Sequence, residues 1–179
     1  MKKAFLFAPL LTLALGCLAA AAAAPQAAKP QDPWAGLSFL VGDWAGVGTG
    51  GPGEAAGGTS FAFALDKAVL VRTNWAKFPP KPGEKAGLSH EDLLYIYPGG
   101  GDGALRAIYF DNEKHVISYI VSFPAKANAV VFESDPAQKG PRYRMTYELK
   151  ADASLKNVFF VAPPGQDFKA YMEGTLKKK

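Results

Sequence analysis

The chain holds two histidines, His90 and His115, and the first lies in the run His90-Glu91-Asp92. A histidine beside carboxylates makes a serviceable general base when the groups converge on a cavity. If this run is a strand, successive side chains point to opposite faces, so His90 and Asp92 share one face and Glu91 opposes them. Imidazole is also a common metal and haem ligand, which makes His90 and His115 candidates for a haem or polar contact. Zinc needs three or four ligands; the two histidines with Glu91 or Asp92 would supply them, but no spacing favours that set and no metal site is expected. Ser89, Ser118 and Ser122 sit in no nucleophile elbow. No catalytic residue is assigned, and an enzyme is not expected.

The arginines carry a different chemistry. In Arg142-Tyr143-Arg144-Met145-Thr146-Tyr147 the arginines alternate with aromatic and apolar residues. The simplest reading gives the arginine face to solvent and the aromatic face to the core. An inward arginine near a tyrosine, by contrast, would clamp a ligand's carboxylate through a bidentate, charge-assisted contact. Arg72, flanked by Val69, Leu70 and Val71, is the best candidate for an inward charge, with Arg144 and Arg106 after it. The ligand-binding candidates are Trp44, Arg72, Trp75, Arg106, Tyr109, Tyr119, Arg144 and Tyr147, although most of the aromatic residues should be ordinary packing.

The elements that must position these side chains read as strands. β-Rich runs at 39–50, 58–65, 68–78, 91–97, 105–111, 116–123, 129–134, 142–150, 156–162 and 169–176 are separated by Gly, Pro, Asn and Asp turn chemistry. A single helical turn is expected at 34–39, behind Pro33. Short connections imply antiparallel neighbours, since parallel pairing needs crossovers of about a dozen residues. A meander of about ten strands hides both its edges by closing into a barrel. A two-sheet sandwich is the competitor, but only the segment 79–89 is long enough for a Greek-key connection. The predicted fold is therefore all-β, an antiparallel up-and-down barrel of about ten strands. Gly46, Gly48 and Gly50 are expected to remove clashing side chains where the first strand bends, with Trp44 lying across one end as a plug. The glycine run at 48–58 lacks the Lys-Ser/Thr of a phosphate loop.

Residues 1–24 have the layout of a secretory leader: Lys2 and Lys3, an apolar stretch broken by Pro9, then alanines. No membrane span is expected after cleavage. The only cysteine, Cys17, stands in an imperfect lipobox, so the choice is between a free exported protein, periplasmic or secreted, and a lipoprotein anchored at Cys17. Residues 25–36 are rich in Ala and Pro and read as a tether, 37–176 as the barrel, and 177–179 as a loose basic tail. Lys2 and Lys3 account for two of the formal +4 charges, and the three terminal lysines exceed the remainder. No nucleic-acid partner follows from that balance.

Gly42-Asp43-Trp44 resembles the Gly-x-Trp found near the start of calycin-like, lipocalin-type barrels. The segments 88–93, 106–111, 113–119 and 141–147 extend the resemblance to a group of secreted bacterial proteins of unknown function related to the nitrobindin-like barrels. The resemblance implies a barrel with a central or end-opening cavity and, for most such relatives, no established activity; the function expected of this chain is to hold a small apolar or amphipathic, lipid-like molecule in that lumen. The nitrobindin branch binds haem through a histidine late in the chain, and 155–179 contains none, so no cofactor is assigned. Haem held by His90 or His115, and a filled barrel acting as an envelope interaction module, are the alternatives.

Overall fold

A computed structural model describes residues 32–47, 55–99, 103–126 and 128–179. The expected leader, Cys17, the first part of the tether, Gly48 and Gly50 lie outside the described residues.

A 3-10 helix at Ala35–Leu40 precedes ten strands: β1 Gly42–Gly46, β2 Ala56–Ala64, β3 Val69–Phe78, β4 Leu88–Pro98, β5 Leu105–Asp111, β6 Val116–Ser122, β7 Ala129–Ser134, β8 Arg142–Leu149, β9 Leu155–Ala162 and β10 Lys169–Lys178. Each pairs antiparallel with its neighbour in sequence, and β1 also pairs with β10, which closes the barrel. The predicted all-β antiparallel barrel is the observed fold, and it is compatible with a calycin-like architecture. Alternation within each strand fills the interior: on β4, Asp92, Leu94 and Ile96 are buried while Glu91, Leu93 and Tyr95 are exposed.

Three boundaries differ from the sequence expectation. Phe39 and Leu40, expected in the first strand, belong to the 3-10 helix, because Leu37 and Leu40 face the core only when the chain coils there. The expected tether ends earlier: Trp34 is buried and sets its ring edge-on to Phe63 at 5.3 Å between centroids. Two of the three lysines expected as a loose tail end the closing strand, with Lys177 opposite Ala45 and Lys178 opposite Trp44. A ladder satisfies backbone groups whatever the side chains are, so composition alone misread this segment.

The 3-10 helix closes one end of the barrel. Leu37 and Leu40 are fully buried, and the Trp44 indole N–H donates to the Leu40 carbonyl at 2.7 Å, so Trp44 ties the plug down. Gly46 is required by close packing between β1 and β2, since a Cβ there would meet the Gly57 carbonyl oxygen at 3.2 Å. The opposite mouth carries the β3–β4, β5–β6, β7–β8 and β9–β10 connections. The outer wall is uneven. Trp75, Leu93, Tyr95, Phe110 and Val116 leave β3 to β6 apolar and exposed, whereas β7 to β10 carry ion pairs such as Arg144–Glu133 and Lys156–Glu173 beside the exposed Tyr171 and Met172.

Candidate functional site

The lumen contains a charged group where an apolar core would be expected. Leu70, Arg72 and Asn74 alternate inward on β3, and the register sets Arg72 opposite Phe61 on β2 and Leu94 on β4. Arg72 is 4% exposed. Its Nη1 donates to Asp92 Oδ1 at 2.7 Å and its Nε to Thr59 Oγ1 at 3.1 Å. Asn74 donates to the other oxygen of Asp92 at 2.8 Å. Burial is the largest influence and works against the guanidinium's charge, but Asp92 together with Tyr147, Tyr109 and Tyr119 offsets it and holds the Arg72 pKa above its ordinary value. Sequence reasoning pointed Arg72 at a ligand carboxylate; the carboxylate that the geometry supplies is the protein's own Asp92.

From this pair a polar network runs towards the end of the barrel opposite the 3-10 helix. His90 Nε2 stands 3.2 Å from both Asp92 Oδ2 and the Tyr109 hydroxyl, and Nδ1 stands 3.1 Å from Glu113. Tyr109 donates to Asp111 Oδ2 at 3.3 Å, and the His115 ring Nδ1 is 2.8 Å from the same oxygen. The hydrogen bond to Asp92 outweighs burial and, with help from Glu113, raises the His90 pKa to about 9. His90 is thus an imidazolium at neutral pH, a double donor rather than the general base its neighbours suggested. Haem ligation through His90 would require it to give up a proton and one of these partners. Burial opposes ionisation of Asp111, yet the hydrogen bonds from His115 hold its carboxyl below the usual range. Among the described residues, no group of three or more His, Cys, Asp and Glu side chains is placed to hold a metal ion.

Around the ion pair lies a chain of edge-packed rings: Phe61, Tyr147, Phe132, Tyr119 and Tyr109, with centroid separations of 5.4, 6.4, 6.3 and 6.5 Å in that order. Arg72 Cζ is 5.8 Å from the Tyr147 ring centroid. Two atoms in this packing are anomalous. The hydroxyl oxygens of Tyr119 and Tyr147 are buried with no hydrogen-bond partner among the described residues. Burial pushes the Tyr147 pKa up to about 12 and moves Tyr119 and Tyr109 upward as well, so all three phenols keep their protons.

The structure therefore gathers Arg72, Tyr109, Tyr119 and Tyr147 in the lumen, with His90 and His115 towards the mouth and Trp44 at the plugged end. It does not bring in the rest. Trp75 faces out over Gly58, Arg106 lies on the outward side of β5 opposite Tyr97, and Arg144 pairs with Glu133 and stacks on Phe168 at 4.0 Å. Asp92, Asn74, Thr59 and Glu113 were missed as partners. Their signal was the shared alternation of Arg72 and Asn74 on β3 with His90 and Asp92 on β4, a pattern that lacks only the register between the strands.

A cleft of about 150 Å³ is bordered by His115, Ile117, Gln138, Pro141 and Tyr143, where the β5–β6 and β7–β8 connections meet the barrel. Another, of about 170 Å³, is bordered by Asp43, Ser60, Thr73 and Trp75 on β1 to β3. No helix among the described residues is long and apolar enough to cross a membrane. Compared with known families and with curated proteins, the chain matches no family model and no curated protein.

Proposed function

We propose that this chain is an exported, calycin-like barrel that takes a small apolar or amphipathic molecule into its lumen through the mouth opposite the 3-10 plug. The observation that carries this reading is the interior polarity. A barrel needed only for its shape is most cheaply filled with apolar side chains, because a buried ion pair is often no better for stability than a well-packed apolar pair. Here Arg72, Asp92 and three tyrosines occupy the lumen instead, and their network leads to the end opposite the 3-10 helix. The ligand's body would be held by apolar burial and its polar end by one or two fixed donors. Export rests on the leader-like residues 1–24, and a lipid anchor on Cys17 would keep the barrel at the membrane surface.

A filled barrel that works through its outer surface is the second reading, favoured by the unbroken chain of rings from Phe61 to Tyr109. Native mass spectrometry of the mature protein, purified from its own cell envelope, separates the two. A co-purifying small-molecule mass supports the lumen and names the ligand class. A bare polypeptide mass that persists after incubation with lipids and with hemin removes the lumen reading and turns attention to the outer wall.

A further inference from the structure

The lumen-binding reading leaves the ligand's polar end undefined, and the charge arithmetic around Arg72 narrows it. A buried guanidinium ordinarily selects a carboxylate. This one already has a carboxylate at 2.7 Å, and that carboxylate is in turn held by Asn74 and His90. A second anion beside Arg72 would face Asp92 in a medium that screens poorly, so the site is neutral with respect to a guest.

Three donors nevertheless remain poorly used. Tyr119 and Tyr147 each bury a hydroxyl that no group among the described residues meets at hydrogen-bond distance, against the general rule that buried polar atoms are hydrogen-bonded. Arg72 Nη1 reaches, besides Asp92, only the thioether of Met145 at 3.8 Å, and sulfur is a weak acceptor. Met145 is also a flexible side chain that fills irregular gaps and yields readily. Arg72 Cζ lies 5.8 Å from the Tyr147 ring centroid, and Tyr119 joins Tyr147 through the Phe132 ring, which ties the three donors to one region of the lumen.

We propose that Arg72 Nη1, Tyr119 and Tyr147 form a subsite for one neutral acceptor oxygen, the carbonyl of a ketone, aldehyde or ester on an apolar body, which enters by displacing the Met145 thioether. The inference rests on the lumen-binding reading above. It differs from the carboxylate clamp expected from sequence, because Asp92 has taken the role of the ligand's acid group.

The test uses the full chain with three probes matched in length: 2-octanone, octanoate and 1-octene. Affinities come from titration calorimetry, and location from the NMR signals of isotope-labelled tyrosines. 2-Octanone should bind about tenfold more tightly than either of the others, the worth of one good hydrogen bond in a dry site. Tyr119→Phe and Tyr147→Phe should each weaken 2-octanone about tenfold and leave 1-octene unchanged. These changes remove one oxygen from a side chain that stays apolar and aromatic, and Met145→Leu supplies a control that keeps the donors but not the sulfur. Tighter binding of octanoate than of 2-octanone, or equal 2-octanone affinity in the Phe variants, overturns the subsite while leaving lumen binding intact. If all three probes leave the lumen tyrosine signals unmoved, the lumen-binding reading falls and the subsite falls with it.

Discussion

In the half of the lumen beneath the 3-10 helix, Leu37, Leu40, Leu70, Ile96, Val130 and Leu155 are buried without a side-chain polar atom to satisfy. In the half towards the mouth, Arg72, Asp92, His90, Tyr109 and Asp111 are joined by hydrogen bonds and ion pairs. The first half is held by apolar area, which is non-directional and tolerant of small shifts. The second half depends on every charge keeping its partner, because an unpaired buried charge is far more costly than a lost contact. The two halves should therefore fail differently when a single side chain is removed.

The largest effect is expected at the ion pair. Asp92→Ala leaves the Arg72 guanidinium buried beside Thr59 and Met145 and should lower stability by about 4 kcal/mol in denaturant titration. Replacing both partners together, Arg72→Met with Asp92→Leu, should recover most of that loss, since the penalty belongs to the orphaned charge and not to the pair. A double variant as unstable as Asp92→Ala would show instead that the pair is a net contributor. At the other end, Leu40→Ala removes fully buried apolar volume under the plug and should lower stability by about 3 kcal/mol. No second substitution at the plug should rescue it as the charge-deleting pair rescues the mouth.

A change of pH separates the halves without mutation. His90 has its folded pKa raised to about 9 from an ordinary 6.5, first through its hydrogen bond to Asp92. The folded state thus binds the proton more tightly than the unfolded chain. The resulting stability is fully present below pH 6.5 and is lost as pH rises to about 9, a fall of about 2 kcal/mol once solvent access to the ring is allowed for. His90→Gln should flatten that part of the curve, and an unaltered slope in the variant would assign it to another group.

How much of this was legible in the sequence follows from the same physics. Strand positions were readable because a two-residue alternation is a local property, and the bounds of β5 and β7 coincide with the expected 105–111 and 129–134. The inward direction of Arg72 was legible for the same reason. Its partner was not, since Asp92 meets it only through the register of β3 against β4, and the segment between those strands, 79–87, is too long for turn chemistry to fix that register. Arg144 and Arg72 look alike in sequence, each flanked by apolar or aromatic neighbours. Only closure of the barrel puts one outside, on Glu133, and the other inside, on Asp92. The terminal lysines show the reverse error, in which composition suggested fraying while the ladder to β1 required a strand.

The smallest expected change tests whether the lumen phenols serve stability at all. If the Tyr119 and Tyr147 hydroxyls served the fold, removing them would be neutral or destabilising. Each instead lies buried with no side chain or backbone group at hydrogen-bond distance among the described residues. Tyr119→Phe or Tyr147→Phe should therefore raise the stability of the ligand-free protein by about 1 kcal/mol, measured as a rise in denaturant midpoint at constant slope. The plug half offers the contrast: Trp44→Phe removes an indole N–H that does have a partner, the Leu40 carbonyl, and should destabilise. A hydroxyl that lowers stability and persists in the sequence is accounted for by what it binds, and a loss of stability in both tyrosine variants would remove that account.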